Sequence, residues 1–307
     1  MIIYTDIFGM VGKTPSVRIC LDHGPARQFF MKLEGANPSG SIKDRACVSI
    51  LQSALKEGTL TPGKTVLDAS SGNFACALAL YSRCLGYQCE VAVSSKLTSE
   101  KGDFLKYLGV QIHKVGDFTI EGNEFCRKLD EDNPGKYFFL DQLHNWQNPK
   151  AHYDTTGPEI LADFPDVGMV VGSLGSGGTM AGVAEYIKNN APHVKTVVVE
   201  SASRNRIPGT GTFIDGDYVT PFIQRAFREN YFDHKVLISE SEAAHAVQLL
   251  MDQGIFGGLQ SGGVLHAAIE CARAWNVKGT IVVLSGDSGW KNLAKLLTYR
   301  TYQQEKI

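Results

Sequence analysis

Residues 64–87 read KTVLDASSGNFACALALYSRCLGY, and this stretch decides the fold. Its first part, KTVLDAS, is typical of a buried β-strand, and GNFACALALYSRCLGY places apolar residues along one face of a helix. The segment CEVAVS at residues 89–94 then predicts a second strand. A strand, a helix and a strand in this order form the unit from which parallel sheets are built.

The same alternation continues through the rest of the chain. Further strands are predicted at residues 110–116, 137–140, 169–174, 196–201, 235–240 and 280–286, and further helices at residues 97–109, 119–132, 152–164, 175–190, 241–254, 261–275 and 290–300. Residues 202–232 show little periodicity and predict a long functional loop broken by short helical pieces. The predicted fold class is therefore α/β, with two open, mostly parallel, twisted sheets flanked by helices.

Composition excludes several classes of function. The 307 residues carry a formal net charge of −2 without a long basic run, which argues against nucleic acid as the main partner. The sequence contains neither a signal peptide nor an apolar run long enough to span a membrane, so no membrane association is expected. The seven cysteines form no CxxC pair and predict a reduced, cytoplasmic protein without a bound metal.

Ligands of open α/β sheets bind at the carboxyl ends of strands, and three strand-to-helix junctions here carry unusual residues. The first junction is DASSGNFA, in which Ser70, Ser71, Gly72 and Asn73 open a helix. One serine would satisfy a helix cap, whereas two serines, a glycine and an asparagine exceed that need. Backbone N–H groups and hydroxyls at a helix N-terminus instead predict an anion site.

The second junction is GSLGSGGTMAG at residues 172–182, and it predicts a phosphate site. The segment from Gly175 to Thr179 follows a buried strand, so its N–H groups can converge on one phosphate. A nicotinamide dinucleotide is the natural rival ligand, but Met180 stands where that motif needs its third glycine. The third junction, IFGGLQSGGVLHAA with LSGDSGW, implies close backbone approach, either to a ligand or to a neighbouring helix.

Lys43 stands at the start of a predicted helix in NPSGSIKDR, residues 37–45. A cation in the first turn has the wrong sign for the helix dipole, so it is either a solvated residue or an amine placed to lose its proton. Burial beside positive potential lowers the pKa of a lysine and favours the neutral amine that Schiff-base chemistry needs. Together with a phosphate cradle, this placement favours the chemical role.

These motifs, in this order, resemble the pyridoxal-phosphate β-replacement enzymes of the cysteine synthase and cystathionine β-synthase family (fold type II). The resemblance runs from VGKTPSVRI to GDSGWKNL and includes NPSGSIKDR, SSGN, HYDTTGPEI, GSGGT and GIFGGLQSGG. It implies a larger cofactor-binding domain of residues 1–37 and 146–307 and a smaller, mobile substrate-loop domain of residues 38–145. It also implies a homodimer.

The family resemblance implies a role for each matching residue. Lys43 would hold pyridoxal 5′-phosphate as an internal aldimine and then act as acid and base, and Asn73 would bind the ring hydroxyl. The cofactor phosphate would be held by Gly175, Ser176, Gly177, Gly178 and Thr179. The substrate carboxylate would be held by Ser70, Ser71, Gly72, Phe74 and Gln142. The loop Pro208–Gly211, with Gly209, would close over the site.

Two positions depart from the family pattern. Gln260 occupies the place where a Ser or Thr usually faces the cofactor's pyridine nitrogen, so either Gln260 or, with a shifted register, Ser261 meets that nitrogen. Phe74 stands where Thr or another small residue is common, and its ring would reshape the substrate pocket. The implied reaction is β-replacement on an activated L-serine through an aminoacrylate intermediate.

The leaving group and the nucleophile stay open at this level. Arg204 and Arg206 precede the closing loop and favour O-phospho-L-serine over O-acetyl-L-serine, because arginine suits phosphate recognition. They could equally be solvated loop charges. The segment NRIPGTG resembles the branch that uses an amine nucleophile such as L-glutamate in 2,3-diaminopropionate synthesis. A third possibility, of another class, is a catalytically weak homologue that acts as a binding or regulatory partner.

Overall fold

The computed structural model describes residues 3–21 and 28–304. Within them, ten strands form two sheets. The strands are β1 (Ser16–Ile19), β2 (Phe29–Leu33), β3 (Thr65–Ala69), β4 (Gln88–Val93), β5 (Gln111–Lys114), β6 (Tyr137–Phe139), β7 (Val167–Ser173), β8 (Lys195–Ser201), β9 (His234–Ile238) and β10 (Thr280–Ser285).

Helices connect these strands along most of the described chain. They are α1 (Lys43–Glu57), α2 (Asn73–Leu85), α3 (Ser99–Tyr107), α4 (Thr119–Asp132), α5 (Gln147–Ala151), α6 (Gly157–Asp163), α7 (Gly178–Asn190), α8 (Pro221–Arg228), α9 (Glu240–Met251), α10 (Leu259–Ala274) and α11 (Leu293–Gln304). A π-helical turn, His152–Thr156, joins α5 to α6, and short 3₁₀ turns occur at Phe8–Met10, Glu34–Ala36, Phe213–Asp215 and Gly289–Asn292.

The strand order confirms the predicted fold class. The larger sheet has the order β1-β2-β10-β7-β8-β9, in which β1 and β2 are antiparallel and the other neighbours are parallel. The smaller sheet has the order β5-β4-β3-β6 and is parallel throughout. Apolar clusters lie against both faces of each sheet, as parallel sheets require.

The unit that opened the sequence analysis forms the middle of the smaller sheet. Four of the five residues of β3 are buried, and β3 pairs with β4 from Thr65–Gln88 to Ala69–Ala92. Helix α2 ends at Leu85 because Gly86 adopts a left-handed conformation with φ of 77° that other residues adopt at a cost. The chain reverses direction after this glycine, and β4 begins at Gln88.

The N-terminal strands were not predicted from the sequence. Strand β2 reads FFMKL, and its Lys32 interrupts the apolar run that marks a buried strand. In the structure Lys32 is fully buried, with its Nζ 2.9 Å from Glu159 Oε2 on α6. Its Nζ also donates to Thr14 O at 3.0 Å and lies 3.7 Å from Asp163 Oδ2, and these partners make a lysine acceptable in this strand.

The segment 202–232 was predicted to be a long loop broken by short helical pieces, and this prediction is confirmed. It contains the 3₁₀ turn Phe213–Asp215 and the two-turn helix α8. The helix predicted over residues 152–164 is also present, as the π-helical turn and α6, whereas α5 was missed. The division into domains of residues 1–37 with 146–307 and 38–145 stays a prediction.

Candidate active site

Residues from both sheets line one cavity of about 370 Å³, and an adjoining pocket of about 20 Å³ shares Lys43, Gly175 and Gln260 with it. The predicted site residues that line the cavity are Lys43, Ser70, Ser71, Gly72, Asn73, Phe74, Gln142, Gly175, Ser176, Arg206, Gly209 and Gln260. Gly177 and Thr179 line the adjoining pocket. Gly178, Arg204 and Ser261 line neither.

Lys43 is the first residue of α1, and its side chain faces the glycine-rich loop across the cavity. Its Nζ donates to Ser176 Oγ at 3.4 Å. Burial lowers the pKa of Lys43 to about 8, because a desolvated ammonium loses hydration that no nearby carboxylate replaces. Near neutral pH the amine is therefore available in its neutral, nucleophilic form to a far greater extent than an ordinary lysine.

The loop between β7 and α7 is shaped to expose backbone N–H groups. Gly177 has φ of 83°, and a Cβ there would lie 2.2 Å from Ile223 Cγ1; a Cβ on Gly178 would lie 2.0 Å from Asn148 Oδ1. No side chain caps α7, so its first N–H groups remain available to an anion. The loop therefore excludes side chains and can seat a phosphate.

Neighbouring elements hold this loop in place. Asn148 Nδ2 donates to Ser176 Oγ at 3.3 Å, and Thr220 Oγ1 donates to Ser176 O at 2.7 Å. Thr179 Oγ1 lies 3.2 Å from Nε2 of His152, which is fully buried. Burial, with the positive charges of Arg45 and Lys43, keeps the pKa of His152 well below its usual range, so the imidazole is neutral.

The junction between β3 and α2 forms a second set of donors. Gly72 precedes α2, which has no side-chain cap, and Ser70 Oγ accepts a hydrogen bond from Gly72 N at 3.2 Å. Ser71 Oγ lies 2.9 Å from Ser94 Oγ at the end of β4. Phe74 is 1% exposed and forms part of the cavity wall. An anion can bind here to N–H groups beside an apolar wall.

Gln142 closes the β3 side of the site. Its side chain is buried, and Nε2 donates to Ala69 O at 2.8 Å, directly before the serines of the junction. Its backbone N–H donates to Asp68 Oδ2 at 3.2 Å. Burial raises the pKa of Asp68 well above its usual range. These contacts position Gln142 against the end of β3. The polar groups of Ser70–Asn73 line the cavity beside it.

Asn73 has a partner that sequence analysis did not assign. Asn73 Nδ2 donates to Asp287 Oδ2 at 2.8 Å, and Asn292 Nδ2 donates to the same carboxylate oxygen at 3.1 Å. Asn73 Oδ1 is buried and has no hydrogen-bond partner among the described residues. A buried polar atom without a partner is costly, and a ligand in the cavity would relieve that cost.

The structure separates the two residues between which the sequence left a choice. Gln260 lines the cavity, where its Nε2 donates to Ser173 Oγ and, at 3.0 Å, to Gly209 O. Ser261 is fully buried instead, and its Oγ lies 2.7 Å from Ser285 Oγ. Gln260 is therefore the one of the pair that can meet a ligand in the cavity.

Of the two arginines in residues 202–212, one lines the cavity and the other does not. Arg204 is exposed and has φ of 61°, and its backbone N–H donates to Asp215 Oδ2 at 2.6 Å. Arg206 lines the cavity, and within the described residues its guanidinium forms no ion pair. Gly209, with φ of 84°, presents its carbonyl to Gln260. Of these two arginines, only Arg206 is placed to contact a ligand bound in the cavity.

Sequence analysis missed the lysines that line the opposite wall of the cavity. Lys96 and Lys101 come from the junction of β4 and α3, and Lys295 comes from α11. Lys96 Nζ lies 2.9 Å from Asp217 Oδ1, and Lys295 Nζ lies 2.8 Å from Glu240 Oε2. A lysine on a helix gives no sequence signal that distinguishes the cavity from solvent, so these residues could not be singled out.

The described residues lack two kinds of feature. Among the described residues, no group of three or more His, Cys, Asp or Glu side chains could hold a metal ion. Over the same part of the chain, every helix is too short or too polar to cross a bilayer. The candidate site therefore consists of the lysine, glycine-loop and amide groups described above.

Comparison with known proteins shows the family to which this chain is similar. The family model described as "Pyridoxal-phosphate dependent enzyme" matches residues 7–287. The cysteine synthase of Aquifex aeolicus is 34% identical over 306 residues, which cover 95% of this chain and 91% of that protein. Among solved structures, O-ureido-L-serine synthase superposes with a TM-score of 0.85 at 26% identity, over 95% of this chain and 94% of that one.

A second solved structure superposes on this chain equally well. The O-acetylserine dependent cystathionine β-synthase from Helicobacter pylori superposes with a TM-score of 0.87 at 26% identity, over 96% of this chain and 98% of that one. These proteins differ in their named substrates, although their chains share one fold with this protein over nearly their whole length. The substrate must therefore be argued from the residues of this chain.

Proposed function

The chain belongs to the family of pyridoxal-phosphate dependent enzymes, and from that premise we propose that it catalyses β-replacement on an activated L-serine. The observation that carries the proposal is Lys43, whose pKa is lowered to about 8 where it faces the uncapped start of α7. A neutral amine opposite a phosphate seat is the arrangement that this cofactor needs.

The residues fit the cofactor at three places. The N–H groups of Gly175–Thr179 would hold its phosphate, because a Cβ at Gly177 or Gly178 would collide with neighbouring side chains. Asn73, whose Oδ1 is buried and unpaired, would face the ring hydroxyl. Gln260 would face the ring nitrogen, to which its uncharged amide could donate in place of its hydrogen bond to Ser173 Oγ, while the bond to Gly209 O is kept. When bound, pyridoxal phosphate supplies the electron sink for the reaction.

The protein's own residues then bind, orient and move a proton. The N–H and hydroxyl groups of Ser70–Phe74 hold the substrate α-carboxylate at the start of α2. Lys43 Nζ takes the α-proton, for which its lowered pKa is suited, and returns a proton at the end of the cycle. Phe74 excludes water from that side of the cavity. The loop Pro208–Gly211, held by Gln260, covers the other side.

For the leaving group we propose phosphate rather than acetate. Arg206 lines the cavity and its guanidinium forms no ion pair among the described residues, so it can bind a phosphate dianion. O-acetyl-L-serine stays as the second donor, because the Helicobacter pylori relative is described as dependent on O-acetylserine. For the nucleophile, sulfide and an amine such as L-glutamate stay in competition.

A binding or regulatory role without catalysis is the alternative of another class. It would leave the lowered pKa of Lys43 and the unpaired Asn73 Oδ1 without a purpose. We therefore propose the catalytic role. A cytoplasmic homodimer, expected from the family resemblance, also stays a proposal, and light scattering of the purified enzyme would test its dimeric state.

The absorption spectrum of the purified enzyme tests the proposed function. We expect a violet-region band that Lys43→Ala abolishes, and a shift to longer wavelength on addition of O-phospho-L-serine. Release of inorganic phosphate should accompany the shift, since loss of the leaving group produces both. Lys106→Met, an exposed substitution on α3, serves as the control and should behave as the wild type.

Two results would count against this proposal. An enzyme that binds pyridoxal phosphate but shows no shift with either donor would remove β-replacement and retain only cofactor binding. A shift with O-acetyl-L-serine and none with O-phospho-L-serine would keep the reaction but exclude the role given to Arg206.

A further inference from the structure

Lys101 is a buried cation in the cavity wall that the proposed reaction does not use. It lies in the first turn of α3, directly after β4, and it lines the cavity. Only 6% of its surface is exposed. Burying an ammonium costs several kcal/mol unless an anion or hydrogen-bond acceptors replace the lost water, so a partner is expected.

Lys32 and Arg45, the other lysine and arginine of the described chain that are buried as whole residues, have such partners. Lys32 Nζ lies 2.9 Å from Glu159 Oε2, and Arg45 is 2.7 Å from carboxylate oxygens of both Glu34 and Glu159. Over the same residues, the ammonium of Lys101 forms neither a hydrogen bond nor an ion pair. Among the described lysines and arginines that are buried as whole residues, Lys101 is thus the exception, and it lines the cavity. The half-buried Lys291 also has a buried Nζ without a hydrogen-bond partner, but it does not line the cavity.

The net charge of the residues that line the cavity also favours an anionic ligand. Its lining contains five cationic residues, which are Lys43, Lys96, Lys101, Arg206 and Lys295, and one acidic residue, Asp217. Asp217 is paired with Lys96, and Lys295 is paired with Glu240 outside the lining. The surplus positive charge attracts anionic ligands into a cleft with low-dielectric walls.

The anions of the proposed reaction already have other binding groups. The cofactor phosphate has the loop Gly175–Thr179, and the α-carboxylate has the junction Ser70–Phe74. Arg206 is exposed at the cavity rim and can exchange its ligand with solvent at little cost. Lys101 is only 6% exposed and lines the cavity, so an anion reaches it from the cavity. The missing partner of Lys101 would be either the leaving-group phosphate, held between Arg206 and Lys101, or a carboxylate on the nucleophile.

We propose that the junction of β4 and α3 is an additional anion site of this cavity, with Lys101 as its charge. It accepts a carboxylate or phosphate that a substrate carries besides its α-carboxylate. The inference rests on the proposed β-replacement and narrows its substrates: the donor carries a phosphate leaving group, or the nucleophile carries a carboxylate. A cavity of about 370 Å³ is large enough for such a substrate beside the reacting carbon.

Matched substrate pairs and Lys101→Met test the site. Methionine keeps most of the buried stem and removes the charge, and Lys101→Arg restores the charge. The donor pair is O-phospho-L-serine and O-acetyl-L-serine, and the nucleophile pair is 3-mercaptopropionate and 2-mercaptoethanol. Formation and decay of the long-wavelength band give kcat/KM for each half-reaction separately.

We expect Lys101→Met to lower kcat/KM about tenfold or more for the anionic member of one pair, as the loss of a charge-assisted hydrogen bond implies. The neutral member should change less than about twofold, and Lys101→Arg should recover most of the loss. Loss with O-phospho-L-serine assigns the site to the donor, and loss with 3-mercaptopropionate assigns it to the nucleophile. Lys106→Met, on the same helix with its side chain 72% exposed, is the control.

Equal effects on both members of both pairs, or no effect at all, would overturn the inference. Calorimetry provides a readout without turnover: inorganic phosphate and malonate are titrated into the holoenzyme, whose cofactor already fills the loop Gly175–Thr179. If Lys101→Met binds phosphate or malonate more weakly than the wild type does, the site is supported. If the variant and the wild type bind each probe with the same affinity, the site is excluded. A wild-type enzyme that forms no long-wavelength band with any donor contradicts the proposed function instead.

Discussion

Lys43 shows how one buried residue acquires its chemistry. The sequence placed it at a helix start, and the structure supplies the burial that lowers its pKa to about 8. At pH 7 about 9% of such amines are neutral, against less than about 0.1% for a lysine of ordinary pKa. We therefore expect the rate at which apoenzyme binds pyridoxal phosphate to rise with pH and to level off above about pH 8, measured by stopped-flow absorbance.

The sign of this pH dependence follows from the lowered pKa. Protons leave Lys43 at lower pH than in the unfolded chain, so the reactive neutral form accumulates earlier. A free amine of ordinary pKa in the same buffers is the control, since it corrects for titration of the cofactor itself. A rate that keeps rising about tenfold per pH unit beyond pH 9 would contradict the lowered pKa.

At the scale of elements, the closing loop Pro208–Gly211 is attached to the start of α10 by Gln260. Gln260→Ala removes hydrogen bonds to Gly209 O and Ser173 Oγ, each worth about 1 kcal/mol. We expect faster proteolysis within residues 204–212 and about a tenfold loss of kcat/KM. Limited proteolysis followed by mass spectrometry, together with steady-state kinetics, measures both effects.

Gln260→Ser separates the two roles of this position. The serine hydroxyl can still meet the cofactor's ring nitrogen, but it is too short to reach Gly209. The absorption band should therefore stay close to that of the wild type while the loop is cut as fast as in Gln260→Ala. If neither substitution alters the proteolysis rate, the loop is held by other contacts and this prediction fails.

At the scale of the whole molecule, Arg45 joins three distant segments. From α1 it contacts Glu34 after β2 and Glu159 on α6, each at 2.7 Å. Arg45→Met leaves Glu34, which is fully buried, without its counter-charge. Breaking such a buried pair costs about 3–5 kcal/mol of unfolding free energy, which urea denaturation at pH 7 would measure. Lys150→Met, which breaks an exposed pair with Asp154, should cost less than about 1 kcal/mol.

Acid should reduce the difference in unfolding free energy between Arg45→Met and the wild type. Burial alone would raise the pKa of Glu159, but hydrogen bonds and charge from Arg45 prevail and lower it to about 2. Because the folded pKa lies below the unfolded one, this stabilisation is complete above about pH 4.5 and is lost as the pH falls towards 2. A constant difference between the two proteins from pH 7 to pH 2 would show that Glu159 takes no part.

The sequence by itself determined the features that depend on neighbouring residues. Strand and helix periodicity predicted the two sheets, because burial on a sheet repeats over a few residues. The glycine loop at residues 175–179 and the helix start at Lys43 were identified for the same local reason. Family resemblance then assigned both to one cofactor; the comparisons confirm the pyridoxal-phosphate family, and the roles of the two segments stay a proposal.

The tertiary structure alone decided which side chains share the cavity. Asp287 contacts Asn73 from 214 positions away, and Lys32 is tolerated in β2 because Glu159 on α6 and the backbone oxygen of Thr14 both contact its ammonium. Gln260 lines the cavity while its neighbour Ser261 is buried in packing. Whether a lysine such as Lys101 meets solvent or a closed wall depends on the elements packed around it, and no local pattern in the sequence records that packing.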